Sequence, residues 1–124
     1  MRRHFALAAY GWLTVTGLLH FAIDVVAQLL RGARVPGPET MLYYGLNSAF
    51  AAGQLTFGLL GLWLAWRLPT ALQWPVVALT LFAAAIWLLI AWIFIGYGEP
   101  KFNAIVFAVL VIAVVLTAGV QETA

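Results

Sequence analysis

The chain contains no cysteine and very little charge. None of its 124 residues is Cys, which excludes disulfides, thiolate metal ligands and CxxC redox chemistry. Only 8% of the residues are charged, and six Lys or Arg against four Asp or Glu are too few and too scattered for a nucleic-acid-binding surface. We therefore expect no metal site, no cofactor and no nucleic-acid partner.

Apolar side chains dominate what remains. Hydrophobic residues make up 65% of the chain and the mean hydropathy is +1.04, more apolar surface than a soluble core can bury. Four runs are each long enough to cross a hydrocarbon core of about 30 Å, which takes about 20 helical residues. We predict an all-α integral membrane protein, surrounded by a lipid bilayer and folded as one antiparallel four-helix transmembrane domain over residues 1–124. The predicted helices cover about residues 5–29, 41–66, 75–97 and 102–119.

The connecting segments are short and carry turn residues, such as Pro69 and Gln73 in the second loop, so neighbouring helices should be antiparallel. Arg2 and Arg3 before an apolar run are also typical of a cleaved signal peptide. This run is long and contains His and Asp, so we expect it to remain as the first span.

Lys and Arg are equally numerous on the two sides of the membrane. Because the first helix often sets the orientation, we predict a cytoplasmic N-terminus in a bacterial inner membrane or its equivalent.

The first apolar segment contains a carboxylate, Asp24. His20 precedes it by one helical turn and Gln28 follows by one turn, so all three share a helix face. An ionisable group at bilayer depth costs several kcal/mol unless it is paired or hydrated, and it usually marks a functional site. A lone His would more often serve a structural hydrogen bond. Beside a carboxylate it becomes a candidate proton donor or acceptor, and we predict Asp24 and His20 as catalytic residues.

The second segment carries a stripe of small and polar side chains. Tyr43, Asn47 and Gln54 fall on it at helical spacing, and Gly58 and Gly61 continue it. We expect this stripe to face the inside of the bundle. The glycines are expected to be points of close helix packing, and the amides either bond neighbouring helices or bind a ligand.

The other two segments offer fewer polar groups. In the third, Trp87 and Phe94 share a stripe that could form a pocket wall but not a proton relay. In the fourth, Asn103 is the only amide, and it could equally cap that helix. At about 1.5 Å per residue, His20 lies about 14 Å and Asp24 about 7 Å below the end of the first span, in the same half of the membrane as the three amides. We predict one cavity bounded by three helices.

These residues also resemble a known family. Residues 17–24, GLLHFAID, resemble the G-x-x-H-x-x-I-E segment of the emopamil-binding, or EXPERA, membrane proteins, which include sterol isomerases. The run from Asn103 to Ile105 is similar to the N-A-L that opens the last helix of those isomerases. The chain departs from the family where Gln54 replaces a second buried glutamate and Asp24 replaces the first. A looser likeness, in length and number of spans, is to the DoxX-like four-helix membrane proteins.

The resemblance implies an isomerase that shifts a ring double bond in a lipophilic polycyclic or isoprenoid molecule. Asp24 would be the acid or base, His20 would tune or relay its proton, and Asn103 would position a polar group of the ligand. With one acid missing, epoxide opening or a simple double-bond shift is equally compatible with the residues. The predicted ligand-binding residues are Asn47, Gln54, Trp87, Phe94, Asn103, Gln28 and Tyr43.

Two other classes fit the same residues. A small proton-coupled transporter, such as a multidrug exporter, could use Asp24 and His20 to couple protons to a cationic substrate, and it would act as a homodimer. An accessory subunit of a membrane complex would dock through the apolar fourth segment. An enzyme should turn its polar stripe into a single-chain bundle, whereas an exporter should turn it toward a dimer axis.

Overall fold

Four long helices make up the protein in a computed structural model, which describes residues 1–68 and 74–119. Helix 1 covers Arg2–Leu30, helix 2 Pro38–Arg67, helix 3 Trp74–Phe94 and helix 4 Gly98–Gly119. All four are long and apolar enough to cross a membrane, and the described residues include no strand. The expectation of an all-α, four-helix integral membrane bundle is confirmed. The second-loop residues Pro69 and Gln73 lie outside the described residues.

Helix 1 is not uniformly α-helical. It consists of an α-helix over Arg2–His20, a π-helix over Phe21–Ala27 and a last α-turn over Gln28–Leu30. A π-helical turn joins residues five apart by its hydrogen bond, one more than an α-helical turn, and such turns occur frequently at functional sites. Asp24 lies in the middle of this segment. The π-helix contains neither Pro nor Gly, so nothing in its composition distinguishes it from ordinary α-helix.

The third loop is shorter and earlier than the sequence suggests. Helix 3 ends at Phe94 rather than at Tyr97, and helix 4 begins at Gly98 rather than at Phe102. The charged and proline-containing residues before Phe102 predict a turn. Pro100 is nevertheless compatible with the first turn of a helix, because no intrahelical bond requires its missing N–H there. Tyr97 consequently lies in the connection between two helices.

Helix 1 occupies the centre of the packing arrangement. It contacts helix 2 on one side and helix 4 on the other, and helix 3 packs against helix 4. The core beneath helix 1 is built from small and branched residues, including Ala6, Leu13 and Val111, all almost fully buried. Helices 1 and 4 are therefore the two elements that hold the bundle together.

Helices 1 and 2 approach closely at two glycines. A Cβ atom on Gly58 would meet the side chain of Thr14 and would lie 2.8 Å from its backbone nitrogen, and a Cβ on Gly61 would run into the ring of Tyr10. Both glycines are buried. Small residues that let helix backbones approach are a common feature of membrane bundles. The expectation that these glycines are close-packing points is confirmed, and the contact aligns the polar face of helix 2 with that of helix 1.

Candidate functional site

His20 is held at both of its ring nitrogens. Its Nδ1 atom lies 2.9 Å from Oδ2 of Asp24, and its Nε2 atom lies 3.1 Å from Oδ1 of Asn47 on helix 2. The ring also meets Phe50 edge to face, with the ring centroids 5.4 Å apart. Only 8% of the His20 side chain is exposed. The imidazole therefore has one fixed position between helices 1 and 2.

Asn47 determines which nitrogen of His20 carries a proton. Its Nδ2 atom donates to the backbone carbonyl of Tyr43 at 2.9 Å, a contact that only the NH₂ end of the amide can make. The oxygen end of the amide therefore faces Nε2 of His20, which must be the donor. The hydrogen bond between Nδ1 and Asp24 then contains a single proton. Imidazolium with carboxylate and imidazole with carboxylic acid are two forms of the same pair.

Asp24 has further polar neighbours. Gln28 Nε2 lies 3.4 Å from Oδ1 of Asp24, so the predicted row of His20, Asp24 and Gln28 is brought together in the structure. The Asp24 side chain is 17% exposed. It is the member of the pair that remains accessible, and its carboxyl group is anchored from both directions along helix 1.

Tyr97 lies beside Asp24 and was not among the predicted site residues. Its pKa is raised to about 12, first by burial and then by the nearby Asp24 carboxylate. The sequence predicts Tyr97 as the last residue of helix 3. Tyr97 lies just before helix 4, the helix that also carries Asn103. No rule of sequence spacing connects Tyr97 to Asp24. It supplies a neutral hydroxyl next to the carboxylate.

A cavity of about 720 Å³ opens beside these groups, between helix 1, helix 2 and the beginning of helix 4. This size falls within the range of about 300 to 1,000 Å³ typical of small-molecule sites. Its wall combines titratable and amide groups with aliphatic and aromatic surface. The lining residues are Thr16, Leu19, His20, Ile23, Asp24, Phe50, Gln54, Tyr97, Gly98, Glu99, Pro100, Phe102 and Asn103.

Two amides from other helices lie in this wall. Gln54 is only 7% exposed, and no hydrogen bond of its side chain is present in the described part of the chain. Asn103 also lines the cavity, and its backbone carbonyl accepts a 3.1 Å hydrogen bond from Nε1 of Trp12. That bond fixes the first turns of helix 4 against helix 1. The predicted convergence of polar groups from three helices is thus present for His20, Asp24, Gln54 and Asn103.

Helix 3 contributes no lining residue to this cavity. Trp87 instead packs edge to face between Phe57 and Phe107, with centroid distances of 5.5 and 5.8 Å, and belongs to the apolar core. Phe94 is 78% exposed at the end of its helix. The structure therefore does not bring the two predicted wall residues to the site. Its aromatic surface comes from Tyr97, Phe50 and Phe102. The two phenylalanines are not singled out by the sequence, because each lies among many apolar neighbours.

Asn47, Tyr43 and Gln28 stand outside the cavity lining but adjoin the pair. Asn47 contacts His20 directly, whereas Tyr43 acts through its backbone carbonyl. The Tyr43 ring lies under the guanidinium of Arg34, 3.4 Å from its centre. Gln28 reaches only Asp24. These three residues therefore position the His20–Asp24 pair without lining the cavity themselves.

The arrangement can hold one proton between an imidazole and a carboxyl group and present it to a molecule in a largely apolar cavity. Within residues 1–68 and 74–119, no group of three His, Asp or Glu residues could hold a metal ion. No family model, curated protein or solved structure matches the chain.

Proposed function

We propose that the protein is a membrane-embedded enzyme that binds a lipophilic small molecule between helices 1, 2 and 4 and moves protons on it with the His20–Asp24 pair. The observation that carries this proposal is the pair itself. It is hydrogen-bonded at 2.9 Å, with one member fixed by Asn47 and the other accessible from a cavity of about 720 Å³. Positioned acid and base groups contribute about 10² to 10⁴ in rate to proton transfers.

The simplest balanced reaction for such a pair is a double-bond shift in an isoprenoid or polycyclic substrate. The pair gives one proton to an alkene carbon and takes one from a neighbouring carbon, so it ends in its original protonation state. No oxidant or reductant is consumed. Phe50 and Phe102 would face the positive charge that develops between the two steps. Epoxide opening would use the same pair to protonate the epoxide oxygen, while water attacks the carbon and returns one of its protons to the pair.

The direction of the polar face favours an enzyme over an exporter. Asn47 and Gln54 turn toward helix 1 of the same chain, where His20 and Asp24 lie. An exporter that works as a homodimer would instead place its acid toward a second copy. The resemblance of residues 17–24 to the EXPERA proteins points in the same direction as this geometry.

The orientation of the chain determines which side of the membrane the cavity serves. With a cytoplasmic N-terminus in a bacterial inner membrane, the mouth beside Tyr97 and Glu99 would open toward the outer side. Because the chain has no cysteine, a single Ala33→Cys variant in the first loop can be labelled without background. Labelling of intact cells by a membrane-impermeant maleimide is the expected result, and labelling only after lysis would reverse the assignment.

The function can be tested by incubating the purified protein with a total lipid extract of the expression host in heavy water. We expect one lipophilic molecule to copurify, and its product to carry deuterium taken up from solvent. Asp24→Asn and His20→Ala should retain the bound molecule and lose deuterium uptake, since they remove the proton carriers. A product heavier by one water molecule would identify epoxide opening instead.

Glu39→Gln is the matched control, because Glu39 is an exposed carboxylate in the first turn of helix 2 and does not line the cavity. It makes the same chemical change away from the site and should leave deuterium uptake intact. Turnover that survives in both Asp24→Asn and His20→Ala would refute the proposed function.

A further inference from the structure

Gln54 lies deeper in the cavity wall than Asp24 does. A Cβ atom added to Gly17 would lie 3.0 Å from the Gln54 Cβ, so Gln54 stands opposite helix 1 about two turns before Asp24. Seven residues at about 1.5 Å each separate these levels by about 10 Å. Asp24, Tyr97 and Glu99 therefore belong to the mouth of the cavity, and Gln54 belongs to its inner end.

Gln54 is a buried residue whose amide is accessible from the cavity and has no protein partner. The residue is 93% removed from the surface, and its oxygen and NH₂ group make no hydrogen bond to any other described residue. Buried amides in proteins are almost always hydrogen-bonded. The neighbouring Thr16 makes no hydrogen bond to this amide, and its hydroxyl proton already goes to the backbone carbonyls of Trp12 and Leu13. A donor and an acceptor at Gln54 thus remain open to the cavity.

The charge of the surroundings restricts what can bind there. The lining residues include the acids Asp24 and Glu99 but no Lys or Arg. A carboxylate or phosphate would meet repulsion at the mouth, and the imidazolium form of His20 farther in is already paired with Asp24. Ionised groups of either sign are also costly at bilayer depth. The group that meets Gln54 must therefore be uncharged.

We infer that the substrate is an uncharged lipophile whose hydroxyl or carboxamide group is bound by Gln54 at the inner end of the cavity. Such groups both donate and accept, which complements the two open positions of the amide. The reacting bond lies near Asp24, about 10 Å from this polar group. This inference rests on the proposed function, because it assigns the ligand of the same cavity.

Nuclear magnetic resonance of protein labelled with ¹⁵N in the side chains of Gln and His tests the inference. The Gln54 amide signals are identified by their loss in Gln54→Leu. Three ring-shaped probes of similar size are titrated: cyclododecanecarboxamide, cyclododecanecarboxylic acid in its ionised form, and methylcyclododecane. We expect the carboxamide to shift the Gln54 signals saturably and to bind more tightly than the other two.

Loss of the Gln54 amide should weaken carboxamide binding about two- to tenfold, the usual effect of one hydrogen bond, and should leave hydrocarbon binding unchanged. Thr56→Val makes a comparable change on the exposed face of helix 2 and should have no effect. Equal binding of all three probes to the wild type would overturn the inference, as would tight binding of the carboxylate.

The ring signals of His20 separate this inference from the proposed function. If the carboxamide shifts the His20 signals but leaves those of Gln54 unmoved, the cavity binds ligands and only the role of Gln54 is wrong. If no probe shifts either residue, the cavity is not a binding site, and both proposals fail.

Discussion

Nε2 of His20 lies 3.1 Å from Oδ1 of Asn47, and the same Asn47 amide donates to the Tyr43 carbonyl at 2.9 Å. The Asn47 amide on helix 2 thus determines that Nε2 of His20, on helix 1, carries a proton. The other ring nitrogen faces Asp24 and shares the exchangeable proton with its carboxyl group. A hydrogen bond at one ring nitrogen commonly sets the tautomer of a functional histidine.

Replacing Asn47 by Leu should change the tautomer of His20. In the wild type we expect the neutral ring to carry its proton on Nε2. In Asn47→Leu that nitrogen loses its acceptor, so the proton should redistribute between the two nitrogens. The ¹⁵N chemical shifts of the labelled ring distinguish the two tautomers, and they should move toward averaged values in the variant.

The chain contains a second histidine, His4, whose signals are identified with a His4→Gln variant. Tyr43→Phe is the matched control, because it keeps the backbone carbonyl that holds Asn47. It should leave the His20 shifts in place. Identical His20 shifts in Asn47→Leu and the wild type would mean that Asn47 does not control the ring.

Tyr97 should report the charge of Asp24. The pKa of Tyr97 is raised to about 12 by burial and then by the Asp24 carboxylate. Asp24→Asn removes the negative charge, so the tyrosinate becomes easier to form and the pKa should fall. It should stay above the ordinary 10.0, because burial is the larger cause. An alkaline titration of near-ultraviolet absorbance, with Tyr97→Phe subtracted, measures the shift.

The same group makes stability depend on pH in a defined window. Between about pH 10 and pH 12 the unfolded chain gives up the Tyr97 proton while the folded chain keeps it. The free energy of unfolding therefore falls as pH rises through this range. Tyr97→Phe should show a smaller fall than the wild type. An equal fall in both would show that another group determines the alkaline loss.

The sequence predicts the fold well because membrane spans are identified from composition alone. Twenty apolar residues in a row leave few alternatives to a helix, and spacing of four residues then places His20, Asp24 and Gln28 on one face. The number of residues from each helix end also predicts that Gln54 and Asn103 lie in the same half of the membrane as the pair. These inferences depend only on local geometry, which the lipid environment makes unusually regular.

Other features depend on interactions that local spacing does not record. The π-helix over Phe21–Ala27 has ordinary apolar composition, and only contacts with neighbouring helices can select it. Trp87 has the spacing of a pocket wall, but its partners are Phe57 and Phe107, which become neighbours only when helix 3 docks on helix 4. Tyr97 reaches Asp24 because helix 3 ends early. Helix rotation and loop length were the missing information.

Gly58→Ala should destabilise the bundle. The new methyl group would lie 2.8 Å from the backbone nitrogen of Thr14, which cannot move without shifting helix 1. Overpacking of this kind costs about 1 to 3 kcal/mol. Gly53→Ala on the same helix has nothing within 4 Å of the new atom and should be neutral or stabilising by up to about 1 kcal/mol. Reversible unfolding in mixed micelles compares the two, and equal stabilities would contradict the close contact.

A buried hydrogen bond joins Tyr10 on helix 1 to Thr80 on helix 3. Their oxygens are 2.7 Å apart, and both residues are at least 96% buried. The Thr80 hydroxyl also lies 2.7 Å from the Val76 carbonyl, to which it donates its only proton. Tyr10 must therefore be the donor. Removing the Tyr10 hydroxyl and removing the Thr80 hydroxyl should consequently destabilise the protein to different extents.

Thr80→Val leaves the Tyr10 hydroxyl without an acceptor, whereas Tyr10→Phe leaves Thr80 bonded to Val76. We expect Thr80→Val to be the more damaging single change at this contact and Tyr10→Phe to recover part of the loss when combined with it. Hydrogen bonds between membrane helices typically contribute about 0.6 kcal/mol, and up to about 1.7, in double-mutant cycles. Unfolding free energies of the four proteins give the coupling. Additive effects would mean that the hydroxyl of Tyr10 finds another acceptor, and that this contact does not hold helix 3 in place.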